Sequence, residues 1–416
     1  MSRMPTGLGL GYRQSNIANL GVKWETQEQV NVGIDLGFFH ERVNLIVDWY
    51  KKVSKDMLMS LQLPSYMGTS GNASSALAAP MGNYGDIENK GWEISLNTHP
   101  LIGAFEWDSD FQISFNRNKL RALDGTANAQ IVGYGQWSDV VSVTNVGESL
   151  YNFYGYVCDG VYEDLEDLQT SAKPVKYPAD GVFNRTNTVW VGDIKYKDLN
   201  GDGVIDENDR TNIGSPLPKF TFGWTNTFRY KNFDLSLFIN GSYGNKVFNY
   251  LGMKLTHMNS PWSNQLNTVL DRAQIVPIDP NKDYSAGVVV NGVTIYNWYD
   301  DITNVRVANA GATIPRASIQ DPNDNDRISD RYIEDGSYIR LKNITLGYTF
   351  PGKIIKKWGL DNLRVYANIQ NLLTITGYSG YDPEIGASTA SANVYGLDNG
   401  RYPSPTVYSF GLNVSF

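Results

Sequence analysis

The chain has 416 residues, 41% of them hydrophobic, with a mean hydropathy of -0.34, and no stretch approaches the roughly 18 consecutive apolar residues of a membrane helix. Helical membrane proteins are thereby excluded; a transmembrane barrel, which hides its apolar residues at every second position, is not. A net charge of -8 and a pI near 5.0 argue against nucleic acid as a partner, because phosphate recognition needs a basic face.

The opening, "MSRMPTGLGLGYRQSN", lacks the apolar core of a signal peptide, and residues 1–28 are expected to be the end of an extracellular loop. "QVNVGIDLGFF" then sets Val30, Val32, Ile34, Leu36 and Phe38 on one face, against Asn31, Gly33, Asp35 and Gly37. "RVNLIVDWY" follows after a short turn, with Val43, Leu45, Val47 and Trp49 facing Asn44, Asp48 and Tyr50. "GWEISLNT" and "FEWDSDFQISFN" repeat the pattern, the second with Glu106, Asp108 and Asp110 on its polar side. "FTFGWTNTFRY", "FDLSLFING", "ITLGYTF", "LRVYANIQN" and the closing "YSFGLNVSF" complete a set of nine. Each reads at period two, the mark of a strand with two unlike faces. An aromatic share of 12% with 40 glycines suits such a strand-and-turn protein.

The connections alternate as well. Short turns follow the strands ending near Phe39, Thr98, Tyr230 and Phe350, while long stretches occupy roughly residues 53–89, 118–218, 242–336 and 374–403. All long connections therefore fall on one side of the sheet, the asymmetry of outer-membrane barrels. Trp49, Trp92, Trp107, Trp224 and Tyr348 are expected near strand ends, as membrane-interface girdles. A β-sandwich shares the alternation but gives no reason for sided loops. Single-chain bacterial barrels have an even number of strands, so nine imply that residues 29–416 start partway round a barrel.

Within the second long connection, "DLNGDGVIDEND" has the spacing of a calcium loop. Asp198, Asn200 and Asp202 stand at positions one, three and five, with Gly203 at the sharp-turn position six. The carbonyl of Val204 falls at seven, Asp206 at nine and Asp209 at twelve. Calcium takes six to eight oxygens, most of which this loop supplies. Asp209 replaces the usual bidentate Glu, so weak binding and a loop-stiffening role are expected. The competing reading is a run of Asn-Gly and Asp-Gly turns with solvated carboxylates.

Other polar residues carry weaker signals. Cys158 is the single cysteine, so no internal disulfide or thiolate cluster is available. His40, His99 and His257 lack ligand spacing and read as solvated turn or loop residues. Glu106, Asp108 and Asp110 read as hydrated lumen residues. No nucleophile elbow, P-loop or metalloprotease motif appears, so no enzymatic activity is expected. Tyr151, Tyr154, Tyr156, Trp262, Tyr296, Trp298 and Tyr299 either stack on ligand or pack the loops together.

"DRYIEDGSYIRLKNITLGYTFP" (330–351), "NLRVYANIQNLLTITGYSGYDPE" (362–384) and "YPSPTVYSFGLNVSF" (402–416) resemble the SusC/RagA family of TonB-linked outer-membrane transporters of Bacteroidota. "VKWETQEQVNVGIDLGFFHERVNLIVDWYKKVSKDML" and "GDIKYKDLNGDGVIDENDR" fit the same family in the same order. The resemblance implies a 22-stranded barrel filled by an N-terminal plug, of which this chain is the C-terminal portion. Signal peptide, TonB segment and plug are not in the sequence. It further implies a cell outer membrane location in contact with lipid, a SusD-like lipoprotein lid and drive from the TonB complex. The implied activity is nutrient uptake, of glycans in polysaccharide utilisation or of oligopeptides. A final aromatic on an alternating strand looks like the signal such proteins present for barrel assembly. The alternatives are a secreted, calcium-stabilised β-sandwich that binds carbohydrate, and a small passive porin.

Overall fold

A computed structural model describes residues 2–7, 9–13, 18–60, 80–123, 129–136, 139–386 and 393–416. Its frame is one antiparallel sheet of nine strands: β1 (Thr26–Phe38), β2 (Val43–Ser60), β3 (Met81–Leu101), β4 (Phe105–Leu123), β5 (Phe220–Tyr230), β6 (Phe233–Tyr243), β7 (Tyr338–Thr349), β8 (Asn362–Thr376) and β9 (Val407–Ser415). They pair strictly in chain order, from β1 at one edge to β9 at the other. This is the nine-strand meander that the alternation predicts.

Register puts most apolar residues of the strands on one face, Ile46 and Phe238 being exceptions. Val32, Trp49, Trp92 and Phe115 stand side by side across β1 to β4, and so do Ile34, Val47, Ile94 and Ile113. Further along, Phe105, Tyr230, Phe233 and Tyr348 form another row. Among the described residues no second layer covers this face: Val32, Trp92, Phe233 and Leu412 are all half or more exposed. The buried apolar clusters lie instead in the long connections, around Trp190, Ile302 and Val305 and around Phe153, Phe248 and Tyr332. A sandwich would bury its core between strand faces; here the strand faces stay bare. The fold is a transmembrane β-barrel wall.

The aromatics define the height of the bare band. Phe105 and Phe115 on β4, Tyr230 and Phe220 on β5, and Phe233 and Tyr243 on β6 close it at both ends. Ten residue steps cover roughly 33 Å along a strand, or about 25 Å of height at the tilt usual for outer-membrane barrels. That matches the apolar band of such a barrel. Trp107 and Tyr348 lie near short turns as expected. Trp224 does not: it sits mid-strand, where its indole N–H donates to Ser109 Oγ at 2.9 Å, and Trp107 likewise reaches Asn226 Oδ1 at 3.0 Å. Lipid offers no partner for an N–H, so these bonds are what permit indoles in the band.

Long connections all leave from one end of the sheet. The expected 53–89 connection is shorter than the sequence pattern indicates, because β2 and β3 stay paired out to Ser60 and Met81. Its remainder, residues 61–79, lies outside the described residues, as do 124–128, 137–138 and 387–392 of the other connections. These strands keep pairing beyond the apolar band because backbone groups there still need partners. Register shifts near Asp56, whose φ is +55°, accommodate the extra twist. Two connections, 124–219 and 244–337, fold together into a layer over that end, and the last, 377–406, adds Val394 and Leu397 to it.

Candidate functional site

Two places carry chemistry: the acidic loop at 198–209, and a pocket where the polar face of the wall meets the loop layer. In the acidic loop, Asp198 accepts amides of Gly201 and Gly203 at 2.6 and 2.8 Å. Asn200 Oδ1 accepts the Asp202 amide, and Asp202 Oδ1 that of Val204, both at 2.9 Å. Asp206 Oδ1 accepts the Asn208 amide at 2.7 Å. Gly201 and Gly203, at φ +77° and +82°, supply the left-handed backbone that the tight turn requires. Asp209 is wholly buried and clasps the loop, its two oxygens accepting the amides of Leu199 and Asp206 at 2.8 Å each. Asn200 and Asp202 are exposed and Asp198 is half-buried, and their carboxylate and amide oxygens are the hard donors that calcium takes.

Among the described residues, one group of three or more His, Cys, Asp or Glu gathers its ligand atoms within 4.8 Å: His257, Asp321 and Asp326. His257 is therefore not the solvated loop residue its isolation in the sequence suggests. Its Nε2 lies 2.7 Å from Asp321 Oδ2 and its Nδ1 3.1 Å from Asp326 Oδ2. Both ring nitrogens face carboxylates, so the ring is an imidazolium donating twice and has no lone pair for a metal. Burial alone lowers its pKa, but the bonds to Asp321 and Asp326 outweigh that and hold it at about 9.

A pKa raised from the usual 6.5 means stability that is complete below that value and lost as pH climbs through about 9. The loop layer is expected to weaken by a few kcal/mol at most between pH 7 and pH 10. Amide exchange of residues 254–326 at the two pH values measures this, and equal protection at both would refute it. The other histidines differ in kind. His99 Nδ1 sits 2.6 Å from Asp108, whose other oxygen accepts from Arg229 at 2.6 Å. Asp108 is thus an ion-paired residue of the polar face, not a merely hydrated one, whereas His40 does lie in an exposed turn.

The pocket, of about 670 Å³, opens on the polar face at the loop end of β5 to β7. Thr221, Ser242 and Tyr338 form its floor, and segments 382–386 and 401–405 its sides. Arg340 anchors it from behind, almost fully buried. Its guanidinium donates to Asp382 at 2.5 Å, Glu384 at 2.8 Å and Thr374 Oγ1 at 2.9 Å. Asp382 also accepts the amides of Glu384 and Ser404, both at 3.0 Å. Burial pushes its pKa up, but these amides and Arg340 overcome that and keep it ionised below the ordinary carboxylate range. Lys342 Nζ reaches Glu384 at 3.1 Å.

The far side is fixed by a second buried carboxylate. Asp398 accepts a hydrogen bond from the Tyr378 hydroxyl at 2.5 Å and from the amides of Gly400 and Arg401 at 2.9 and 3.1 Å. Arg401 and Tyr402 consequently stand on a turn that is locked at its base. None of these residues has a spacing signature in the sequence. Arg340 reaches the polar face only because a register shift between Leu341 and Asn343 changes the phase of β7. Of the loop aromatics, Tyr156 packs against Tyr196, Tyr177 against Phe183 and Trp298 against Tyr299, so most of their area serves the loop layer itself. Trp262 remains almost fully exposed.

No family model matches the sequence. The chain is 33% identical over 410 residues to TonB-dependent receptor P3 of Formosa agariphila, which covers 97% of this chain and 35% of that one. TonB-dependent receptor P26 of the same organism is 31% identical, covering 99% and 36%. TonB-dependent receptor SusC of Bacteroides thetaiotaomicron is 27% identical, covering 96% and 32%. Among solved structures, the RagAB peptide transporter superposes with a TM-score of 0.70 at 20% identity, over all of this chain and 38% of that one. The chain spans about a third of the length of the curated relatives it matches.

Proposed function

We propose that this chain, similar along nearly its whole length to TonB-dependent receptors, is an outer-membrane β-barrel sequence of the SusC/RagA type and forms the C-terminal wall and loop layer of a nutrient importer. Residues 1–28 belong to an extracellular loop and 29–416 to the barrel in this reading. A plug fills the lumen, a SusD-like lipoprotein covers the loop layer, and the TonB complex supplies energy. The observation that carries it is the wall itself: a bare apolar band on one side, a polar face on the other, and every long connection gathered at one end. Among the described residues, β1 and β9 each have a neighbour on one side only. Open edges in lipid cost several kcal/mol per unpaired backbone group, which is consistent with further strands closing the barrel.

The test is uptake. Cells carrying the native protein are expected to accumulate labelled glycan or peptide hydrolysate only when TonB is intact. A passive porin would instead conduct ions in a planar bilayer without it, and a secreted sandwich would partition into water without detergent. Either result would remove the importer reading.

We further propose that the 198–209 loop holds calcium as a stiffener of the loop layer. Its support is an all-oxygen donor set at the correct spacing, with Gly203 already in the conformation that position six demands. Calorimetric titration with calcium is expected to show weak binding that is lost in Asp202→Ala. Identical heats for the two proteins would count against it.

A further inference from the structure

Three cationic side chains stand in or just behind the pocket floored by Tyr338, and two of them are ion-paired within it. Arg340, Lys342 and Arg401 stand in or just behind it, with Asp382 and Glu384 as its carboxylates. Arg340 and Lys342 consume those two carboxylates between them. Arg401 is left over: among the described residues its guanidinium has no carboxylate partner. The backbone beneath it is held by Asp398, and Nη1 of the exposed side chain lies 3.8 Å from where a Cβ on Gly386 would stand, across the pocket mouth. Tyr402, beside it, is 85% exposed. A guanidinium at a pocket mouth with no carboxylate partner is open to an anion, and its planar fork takes a carboxylate through two parallel bonds.

We propose that Arg401 anchors the carboxylate of an imported ligand at the entrance to the lumen, so that this receptor selects acidic cargo. The chemistry is shared by two sources, a uronate sugar and the carboxyl end of a peptide. In either case Tyr402 offers a flat face beside the anchored group. The proposal rests on the import reading for its biological meaning, but binding needs neither TonB nor a membrane potential.

The experiment therefore measures binding by the native full-length protein in detergent, with four probes: trigalacturonate, maltotriose, N-acetyl-trialanine and N-acetyl-trialanine amide. One carboxylate-bearing probe is expected to bind at least ten-fold more tightly than its neutral counterpart. Arg401→Gln is expected to erase that preference and Arg401→Lys to restore part of it. Because the side chain is exposed and unpaired among the described residues, thermal melting should be unchanged in both variants, which separates recognition from folding. A sugar preference and a peptide preference identify the source. Equal affinity for charged and neutral probes, no binding of any of the four, or an unaltered preference in Arg401→Gln each overturns the proposal. A protein that binds acidic probes yet fails to import refutes the transport reading and leaves this one standing.

Discussion

Replacing Asp193 by alanine is expected to unfasten the loop layer, at a cost of about 3–5 kcal/mol. Asp193 is fully buried and takes a two-pronged bond from Arg316, at 2.7 Å to Nε and 3.1 Å to Nη2. It also accepts the Trp190 amide at 2.8 Å and the Asn325 amide group at 3.2 Å. Asn325 passes the network on to Asp321 and so to His257 and Asp326. One carboxylate thus ties segment 190–196 to segment 316–326, from two different long connections. Without it, the Arg316 guanidinium stays buried with a single backbone carbonyl, that of Arg185 at 3.2 Å. A buried charge that has lost its partner is the costly case; removing both charges together is far cheaper.

The double change Asp193→Leu with Arg316→Met should accordingly recover most of the stability that Asp193→Ala loses. Limited proteolysis in detergent reads the result. Cuts within 140–330 should appear in Asp193→Ala at temperatures where the sheet is still intact, and be largely suppressed in the double variant. If the single variant resists cleavage as the parent does, the network does not hold the layer.

The second large effect lies in the wall. Leu96→Arg is expected to cost about 2–4 kcal/mol, while Ser95→Arg, one residue away, should cost little. Leu96 stands between Leu45 and Phe111 in the apolar band, and Ser95 turns to the opposite, polar face beside Gln112. Burying a guanidinium in acyl chains is opposed by its hydration, whereas the polar face meets water or other polar groups. Reversible unfolding in lipid vesicles measures both. Equal tolerance of the two substitutions would mean that the apolar side of the sheet does not face lipid, and the barrel assignment would fall with it.

How much of this was visible beforehand depends on whether a feature is local. The strand pattern is local: alternation along β1, "QVNVGIDLGF", is the same alternation whether or not β2 is present, since side-chain direction follows backbone geometry alone. The turn chemistry of 198–209 is local for the same reason. The place where the pattern misleads is β7. There period two breaks between Leu341 and Asn343, and Arg340 changes faces. No composition rule distinguishes that break from a strand end. The lengths of β2 and β3 were also hidden, because their polar outer halves pair through backbone bonds that any side chain permits.

Sequence alone sufficed for the architecture of the wall: nine two-faced strands, the sidedness of their connections and the exclusion of membrane helices. These follow from near-neighbour periodicity, which every residue declares for itself. The tertiary structure decided what each isolated charge is for. Asp193, His257 and Arg340 stand far in the chain from most of the partners that define them. Their burial and ionisation arise only when segments well separated in the chain, such as 340 with 382 or 193 with 316, are brought within hydrogen-bond reach. The physical reason is that an electrostatic interaction depends on distance in space and on lost hydration, and neither is encoded at a single position.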